Sequence, residues 1–83
     1  MSVTRKFRRH SEPTRQGGKL SAARNNVGLS QRAAAKAAKI TPQHLCYLER
    51  GWDGHGRTVE PSLALLRRLG RLYRIPVSSL LFE

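Results

Sequence analysis

Carboxylates and cysteines are scarce in this chain of 83 residues. It contains 5 Asp and Glu residues against 16 Lys and Arg residues, which gives a formal net charge of +11. The acidic residues are scattered, and the sequence offers neither paired carboxylates nor a Ser/His/Asp set, so we do not expect an enzyme. Cys46 is the only cysteine, which excludes an internal disulfide and a four-thiolate metal site. We expect no metal and no other cofactor.

Long apolar runs and aromatic side chains are also missing. No apolar run approaches the roughly 20 residues that a membrane-spanning helix needs, and no signal sequence opens the chain. We therefore expect a cytoplasmic, nucleoid-associated protein without a membrane partner. Aromatic residues make up 6% of the chain, which leaves few platforms for stacking single-stranded bases, although generic binding to RNA stays open. The excess of positive charge favours a polyanionic partner, and double-stranded DNA is the first candidate.

Two short helices are predicted close together in the middle of the chain. Ser30 is an N-cap residue type in front of the helix-forming run Gln31–Ala38. Thr41 is a second N-cap, and Pro42 suits the first helical position because its missing N–H costs nothing there. Gly51 marks the end of the second helix, since glycine takes the left-handed conformation without penalty.

The residue pattern of this pair predicts a helix-turn-helix. Small side chains in the first helix allow the second helix to cross it closely. These side chains belong to Ala34, Ala35, Ala37 and Ala38. In the second helix Leu45 and Leu48 lie on one face, whereas Gln43, Tyr47 and Arg50 share another. We expect the first face to pack and the second to contact a partner.

Three motifs in this region carry a family resemblance: GLSQ at 28–31, TPQHL at 41–45 and LERG at 48–51. Together with PSL at 61–63 and IPVSSLL at 75–81, they make the chain resemble the lambda repressor and Cro family (XRE type) of DNA-binding proteins. The resemblance implies a compact all-α, five-helix, lambda-repressor-like domain. It also implies a sequence-specific double-stranded DNA-binding transcriptional regulator, most simply a small repressor that occupies an operator as a homodimer.

A second function is compatible with the same resemblance. A DNA-binding antitoxin of a toxin–antitoxin pair can have this fold and repress its own promoter, and a toxin would then be its protein partner. The chain departs from the family pattern at two places. Lys39 stands where the family usually has glycine, which predicts a slightly different turn, and the loop Trp52–Glu60 is longer than common.

Residues 1–18 are predicted to form a disordered basic arm, and residues 19–83 the helix-turn-helix domain. The arm is expected to raise affinity through phosphate attraction, the alternative being a solvated tail that only raises solubility. Its basic residues are Arg5, Lys6, Arg8, Arg9 and Arg15. Helices are expected at Lys19–Val27, Gln31–Ala38, Pro42–Arg50, Ser62–Tyr73 and Ser78–Phe82.

Base contacts are expected from the start of the second helix of the motif. Gln43 is the first choice because its amide can donate to and accept from adenine at once. The weaker choices are Pro42, His44 and Tyr47, and ordinary surface exposure is an equal alternative for the last two. The residues expected to contact phosphate are Ser30, Gln31, Arg32, Lys36, Lys39, Arg50 and Arg57. A solvated helix face is the alternative for the basic residues of the first helix.

The remaining expectations concern packing. By the resemblance, Arg24 pairs with Glu49 in a structural ion pair between helix 1 and the second helix of the motif. In the fourth helix, the side chains expected to point inward are Leu63, Leu66, Leu69 and Leu72. Those expected to point outward, as a solvated basic face, are Arg67, Arg68, Arg71 and Arg74. Trp52 is expected to pack against the core. A dimer contact is expected at the apolar end formed by Leu80, Leu81 and Phe82.

Overall fold

The computed structural model describes residues 14–81, apart from the side chain of Leu81. Five helices are present: α1 Arg15–Asn26, α2 Gln31–Ala38, α3 Pro42–Arg50, α4 Leu63–Tyr73 and α5 Ser78–Leu81. The described residues contain no strand, only an isolated antiparallel bridge between Trp52 and Thr58 in the loop after α3. The predicted all-α, five-helix fold is confirmed, and α2 and α3 have the predicted bounds.

Each of the four longer helices begins at a hydroxyl cap. Thr14, Ser30, Thr41 and Ser62 have extended backbones, and each side-chain oxygen accepts a hydrogen bond of 3.0–3.1 Å from the amide three residues later. Each bond satisfies one of the N–H groups that lack a partner within the helix. The caps predicted at Ser30 and Thr41 therefore fix where α2 and α3 begin.

The first helix begins at Arg15, whereas the sequence analysis placed its start at Lys19. The prediction treated the pair Gly17-Gly18 as part of a flexible segment, but Gly17 is buried inside α1. A Cβ atom at this position would overlap the backbone carbonyl of Glu49 at the end of α3. Because Gly17 has no side chain, α1 and α3 can approach closely. The glycine therefore belongs to a packed, ordered part of the chain.

The core lies between the first four helices. Its largest fully buried side chains are those of Leu20, Leu45, Leu48, Leu69 and Tyr73. The fully buried alanines of α2 allow α3 and α4 to pack close to its backbone; they are Ala34, Ala35 and Ala38. Trp52, which was expected to pack against the core, is half-buried.

The short α5 contributes to this core. Leu80 is 2% exposed and belongs to the same cluster of buried side chains. The prediction that Leu80 forms a dimer contact is therefore wrong, because the side chain is already covered within one copy of the chain. The other two residues of that prediction, the side chain of Leu81 and all of Phe82, lie outside the described residues.

The ends of the α4 leucine series are less buried than predicted. Leu63 is 49% exposed and Leu72 is half-buried, whereas Leu66 and Leu69 are buried. In a helix with about 3.6 residues per turn, each step of three residues falls about 60° short of a full turn. A series of four such residues therefore spreads over about 180°, so its middle members are buried most deeply, while the partly buried Leu72 still packs against the core.

The turn between α2 and α3 has the backbone conformation that glycine usually supplies. Lys39 is left-handed, with φ 63° and ψ 40°. Its N–H donates to Lys36 O at 3.2 Å, and the N–H of Ile40 donates to Ala35 O at 2.9 Å. These bonds satisfy the last carbonyl groups of α2. The expectation of a different turn is wrong, since the lysine takes the left-handed conformation although it is unfavourable for a residue with a Cβ.

Candidate nucleic-acid interface

A buried ion pair joins α1 to the end of α3. Arg24 Nε donates to Glu49 Oε2 at 2.7 Å, and Arg24 Nη2 donates to Glu49 Oε1 at 3.1 Å. The side chains are 11% and 5% exposed, respectively. Arg24 Nη1 also donates to Leu29 O at 2.7 Å. The hydrogen bond to Glu49 raises the pKa of Arg24. The structure thus places in contact the two residues that the resemblance paired.

The side chain of Gln31 connects this ion pair to the start of α2. Gln31 Nε2 donates to Glu49 Oε1 at 3.0 Å, and the side chain is half-buried. Gln31 is the first residue of α2, where free backbone N–H groups and the positive end of the helix dipole attract anions. Glu49 holds the amide in place while one amide hydrogen remains for another acceptor. Gln31 was predicted to contact phosphate, but its bond to Glu49 was not predicted.

One face of α3 is exposed and internally connected. Gln43 Nε2 donates to the hydroxyl of Tyr47 at 2.9 Å, and the guanidinium carbon of Arg50 lies 5.9 Å from the centroid of the Tyr47 ring. The second distance is within the range of a cation–π contact. We call Gln43, Tyr47 and Arg50 the α3 outer face. Gln43 and Arg50 are exposed and Tyr47 is half-buried.

The opposite face of α3 is buried, as its residue pattern predicts. Leu45, Leu48 and Glu49 are the buried residues of the helix. Pro42 and His44 are exposed in its first turn, beside the α3 outer face in sequence. All four residues proposed as base contacts therefore lie on α3, and none of them supplies a large side chain to the core.

The basic residues assigned to phosphate contacts are accessible. They lie on α2, on the turn after it, at the end of α3 and in the following loop. The exposed members of the phosphate set are Ser30, Arg32, Lys36, Lys39, Arg50 and Arg57. Among the arm residues, Arg15 is the first residue of α1. The other four, Arg5, Lys6, Arg8 and Arg9, lie outside the described residues.

The loop after α3 is ordered by Asp53. Asp53 Oδ1 accepts hydrogen bonds from the backbone N–H groups of His55 at 2.8 Å and Arg57 at 3.0 Å. These bonds, that of Arg57 first, lower the pKa of Asp53. The Asp53-Gly54 pair is a sequence signal of a loop, but the two hydrogen bonds to the Asp53 carboxylate were not predicted. A Cβ atom on Gly54 would lie 3.7 Å from the Tyr47 hydroxyl, so the loop borders the α3 outer face.

Between residues 14 and 81, no three His, Cys, Asp or Glu side chains come together as metal ligands would. None of the helices in this part of the chain is long and apolar enough to cross a membrane. Cys46, the lone thiol, is half-buried in α3.

A comparison with family models matches residues 16–80 to the model described as a helix-turn-helix domain. The matched span begins at the second residue of α1 and reaches α5, so it includes the α3 outer face and the Arg24–Glu49 ion pair. Neither the comparison with curated proteins nor the comparison with solved structures gives a significant match.

Proposed function

Because the chain belongs to the helix-turn-helix domain family, we propose that it is a sequence-specific, double-stranded DNA-binding transcriptional regulator. The observation that carries the proposal is the α3 outer face, an exposed and connected row of polar side chains on the second helix of the motif. In a helix-turn-helix this helix enters the major groove, and its first residues contact base edges.

Gln43 is the proposed base reader. One hydrogen of its Nε2 is held by the Tyr47 hydroxyl, so the second hydrogen and Oε1 remain for adenine N7 and N6, respectively. Holding the amide before DNA arrives lowers the entropy lost on binding. Pro42 would offer an apolar surface to a thymine methyl group, and His44 would bond a base or a phosphate.

The start of α2 is the proposed phosphate clamp. Its free backbone N–H groups follow the Ser30 cap, and the side chain of Gln31 stands beside them, held by Glu49. Arg32 adds a charge in the same turn. The other basic residues proposed to contact phosphate are Lys36, Lys39, Arg50 and Arg57. Contacts of this kind position the protein on the duplex and give affinity that falls with salt, but they do not read sequence.

The simplest regulatory role is repression by a homodimer that occupies an operator. Two copies related by two-fold symmetry would place their α3 helices in major grooves about 34–36 Å apart, one helical turn of DNA. The dimer should appear in light scattering at micromolar concentration, and a strictly monomeric peak even with operator DNA would contradict it. Arg5, Lys6, Arg8 and Arg9 would then add phosphate contacts near each half-site.

Selection of bound sequences from a random duplex library, at two salt concentrations, tests the function directly. An inverted repeat that survives the higher salt supports a dimeric, sequence-reading regulator. Salt-sensitive binding without any enriched sequence would contradict sequence-specific recognition.

The selected site then allows a test of Gln43. Gln43→Ala should weaken binding to it by about 1–3 kcal/mol and leave nonspecific binding almost unchanged, because one two-bond base contact is lost. Arg32→Ala is the matched control. It should weaken binding to all sequences and reduce the salt slope by about 1. An equal loss on both DNAs for Gln43→Ala would show that Gln43 does not read a base.

A further inference from the structure

Helix α4 carries a second basic surface. Arg67 and Arg71 lie four residues apart on α4, and Arg74 is its left-handed C-cap residue. All three are exposed, and we call them the α4 stripe. Leu69, two residues from both Arg67 and Arg71, is fully buried. Residues two apart in a helix point to nearly opposite sides, about 200° round the axis. Arg67 and Arg71 therefore face away from the core.

The α4 stripe is not neutralised by the part of the chain that the structure describes. No hydrogen bond or ion pair engages its three side chains there, and α4 contains no acidic residue. Of the three acidic residues in this part of the chain, Glu49 pairs with Arg24, and Asp53 accepts bonds from its own loop. The third, Glu60, is exposed in the loop before α4 and makes no ion pair with the stripe. Like charges four residues apart destabilise a helix, so this arrangement favours an external polyanion.

The stripe is also distinct from the α3 outer face. The two helices α3 and α4 pack chiefly against α1 and α2. Arg68, which flanks the stripe, turns toward α2, where its Nη1 donates to Ala38 O at 2.7 Å. That carbonyl lies next to Lys39, at the opposite end of α2 from the proposed phosphate clamp. We therefore expect a duplex bound at α3 and at the start of α2 to leave the outer side of α4 uncovered.

We propose that the α4 stripe binds the phosphate backbone of a second DNA duplex, so that the protein bridges two duplexes. This inference rests on the proposed binding of a first duplex by α3. Arg67 and Arg71 are about 6 Å apart along the helix, a length over which one DNA strand carries about two phosphates. Backbone contacts carry no sequence information, so the second duplex can have any sequence.

A capture experiment with the full chain tests the bridge. Beads carry a mixed-sequence duplex, protein is bound to them, and a fluorescent duplex of unrelated sequence is then added. The wild-type protein should retain the fluorescent duplex. Arg67→Gln combined with Arg71→Gln should abolish most of this retention and lower its log–log salt slope by about 2, because two phosphate contacts are lost. Binding to the bead duplex alone and the melting temperature should not fall.

The matched control makes the same chemical change on α2. Arg32→Gln combined with Lys36→Gln removes two exposed charges at the same spacing and should weaken binding to the bead duplex itself. Failure of the wild-type protein to bind that duplex would reject the proposed function as well as the bridge. The bridge alone is overturned if wild type binds the bead duplex but retains no second duplex, or if the α4 variant retains as much as wild type. It is also overturned if the α4 variant loses binding to the bead duplex as much as it loses retention of the fluorescent duplex, because the stripe would then contact the first duplex.

Discussion

Removing one partner of the Arg24–Glu49 ion pair should cost much of the stability of this protein. Arg24→Met takes away both hydrogen bonds to Glu49 and leaves a carboxylate that is 5% exposed with the amide of Gln31. Stranding a buried charge costs about 3–5 kcal/mol. A chain of this size has a total free energy of unfolding of about 4–12 kcal/mol. The melting temperature should therefore fall by more than about 12 °C.

The reciprocal variant should be similarly unstable, and the double variant should recover much of the loss. Glu49→Leu leaves the Arg24 guanidinium with Leu29 O as its acceptor. Arg24→Met combined with Glu49→Leu strands no charge, and replacing a buried ion pair with apolar side chains is often close to neutral. The remaining loss comes from Leu29 O and the Gln31 amide, which each give up a partner worth about 1 kcal/mol.

Urea unfolding of the wild type, the two single variants and the double variant measures these differences. Arg32→Met serves as the control, because this arginine is exposed on α2 and should change the free energy of unfolding by less than about 0.5 kcal/mol. A double variant more stable than either single variant supports the argument. Losses that simply add would refute it, because each side chain would then stabilise the fold through its own packing and not through the paired charge.

Substitutions at four positions test the backbone and the core. Gly18→Ala should stabilise α1 by up to about 1 kcal/mol, because no atom lies within 4 Å of the added Cβ. Gly17→Ala should destabilise the protein by about 1–3 kcal/mol, because the added Cβ overlaps α3. Equal melting temperatures of the two variants would disprove the close approach of α1 and α3. Lys39→Gly should raise the free energy of unfolding by up to about 1 kcal/mol in urea titrations, since φ is 63°, and Lys39→Ala should not. Burial raises the pKa of Tyr73 from 10.0 to about 12. The contribution of Tyr73 to the free energy of unfolding is therefore constant below pH 10 and is lost as pH rises toward 12. Tyr73→Phe should lose less stability between pH 8 and pH 11 than wild type, and an identical loss would assign the alkaline instability to other groups.

Local chemistry explains what the sequence could predict. Ser30, Thr41 and Gly51 each act through backbone groups within a few residues, so α2 and α3 were bounded correctly from residue types alone. The division of α3 into a packed and an exposed face follows from helical periodicity and was also predicted.

Contacts between distant parts of the chain explain what was missed. Gly17 was predicted to be flexible because its close contact is with a distant residue. The carbonyl that it approaches belongs to Glu49, 32 positions further along the chain. Leu80 was predicted to be surplus apolar surface, whereas in the structure α5 places it in the core. The bond between Gln31 and Glu49 likewise depends on how α2 meets α3. None of these three contacts has a local sequence signal.

The two-sided character of α3 also has a consequence for divergence within a protein family. The side chains that hold this nine-residue helix, Leu45, Leu48 and Glu49, do not include those that it presents outward. Substitutions at Gln43 or Arg50 can therefore accumulate without loosening the anchor of the helix. Under the proposed function, such a helix lets binding preference change while the fold stays constant, so that duplicated copies of one gene can acquire separate preferences through a few exposed positions.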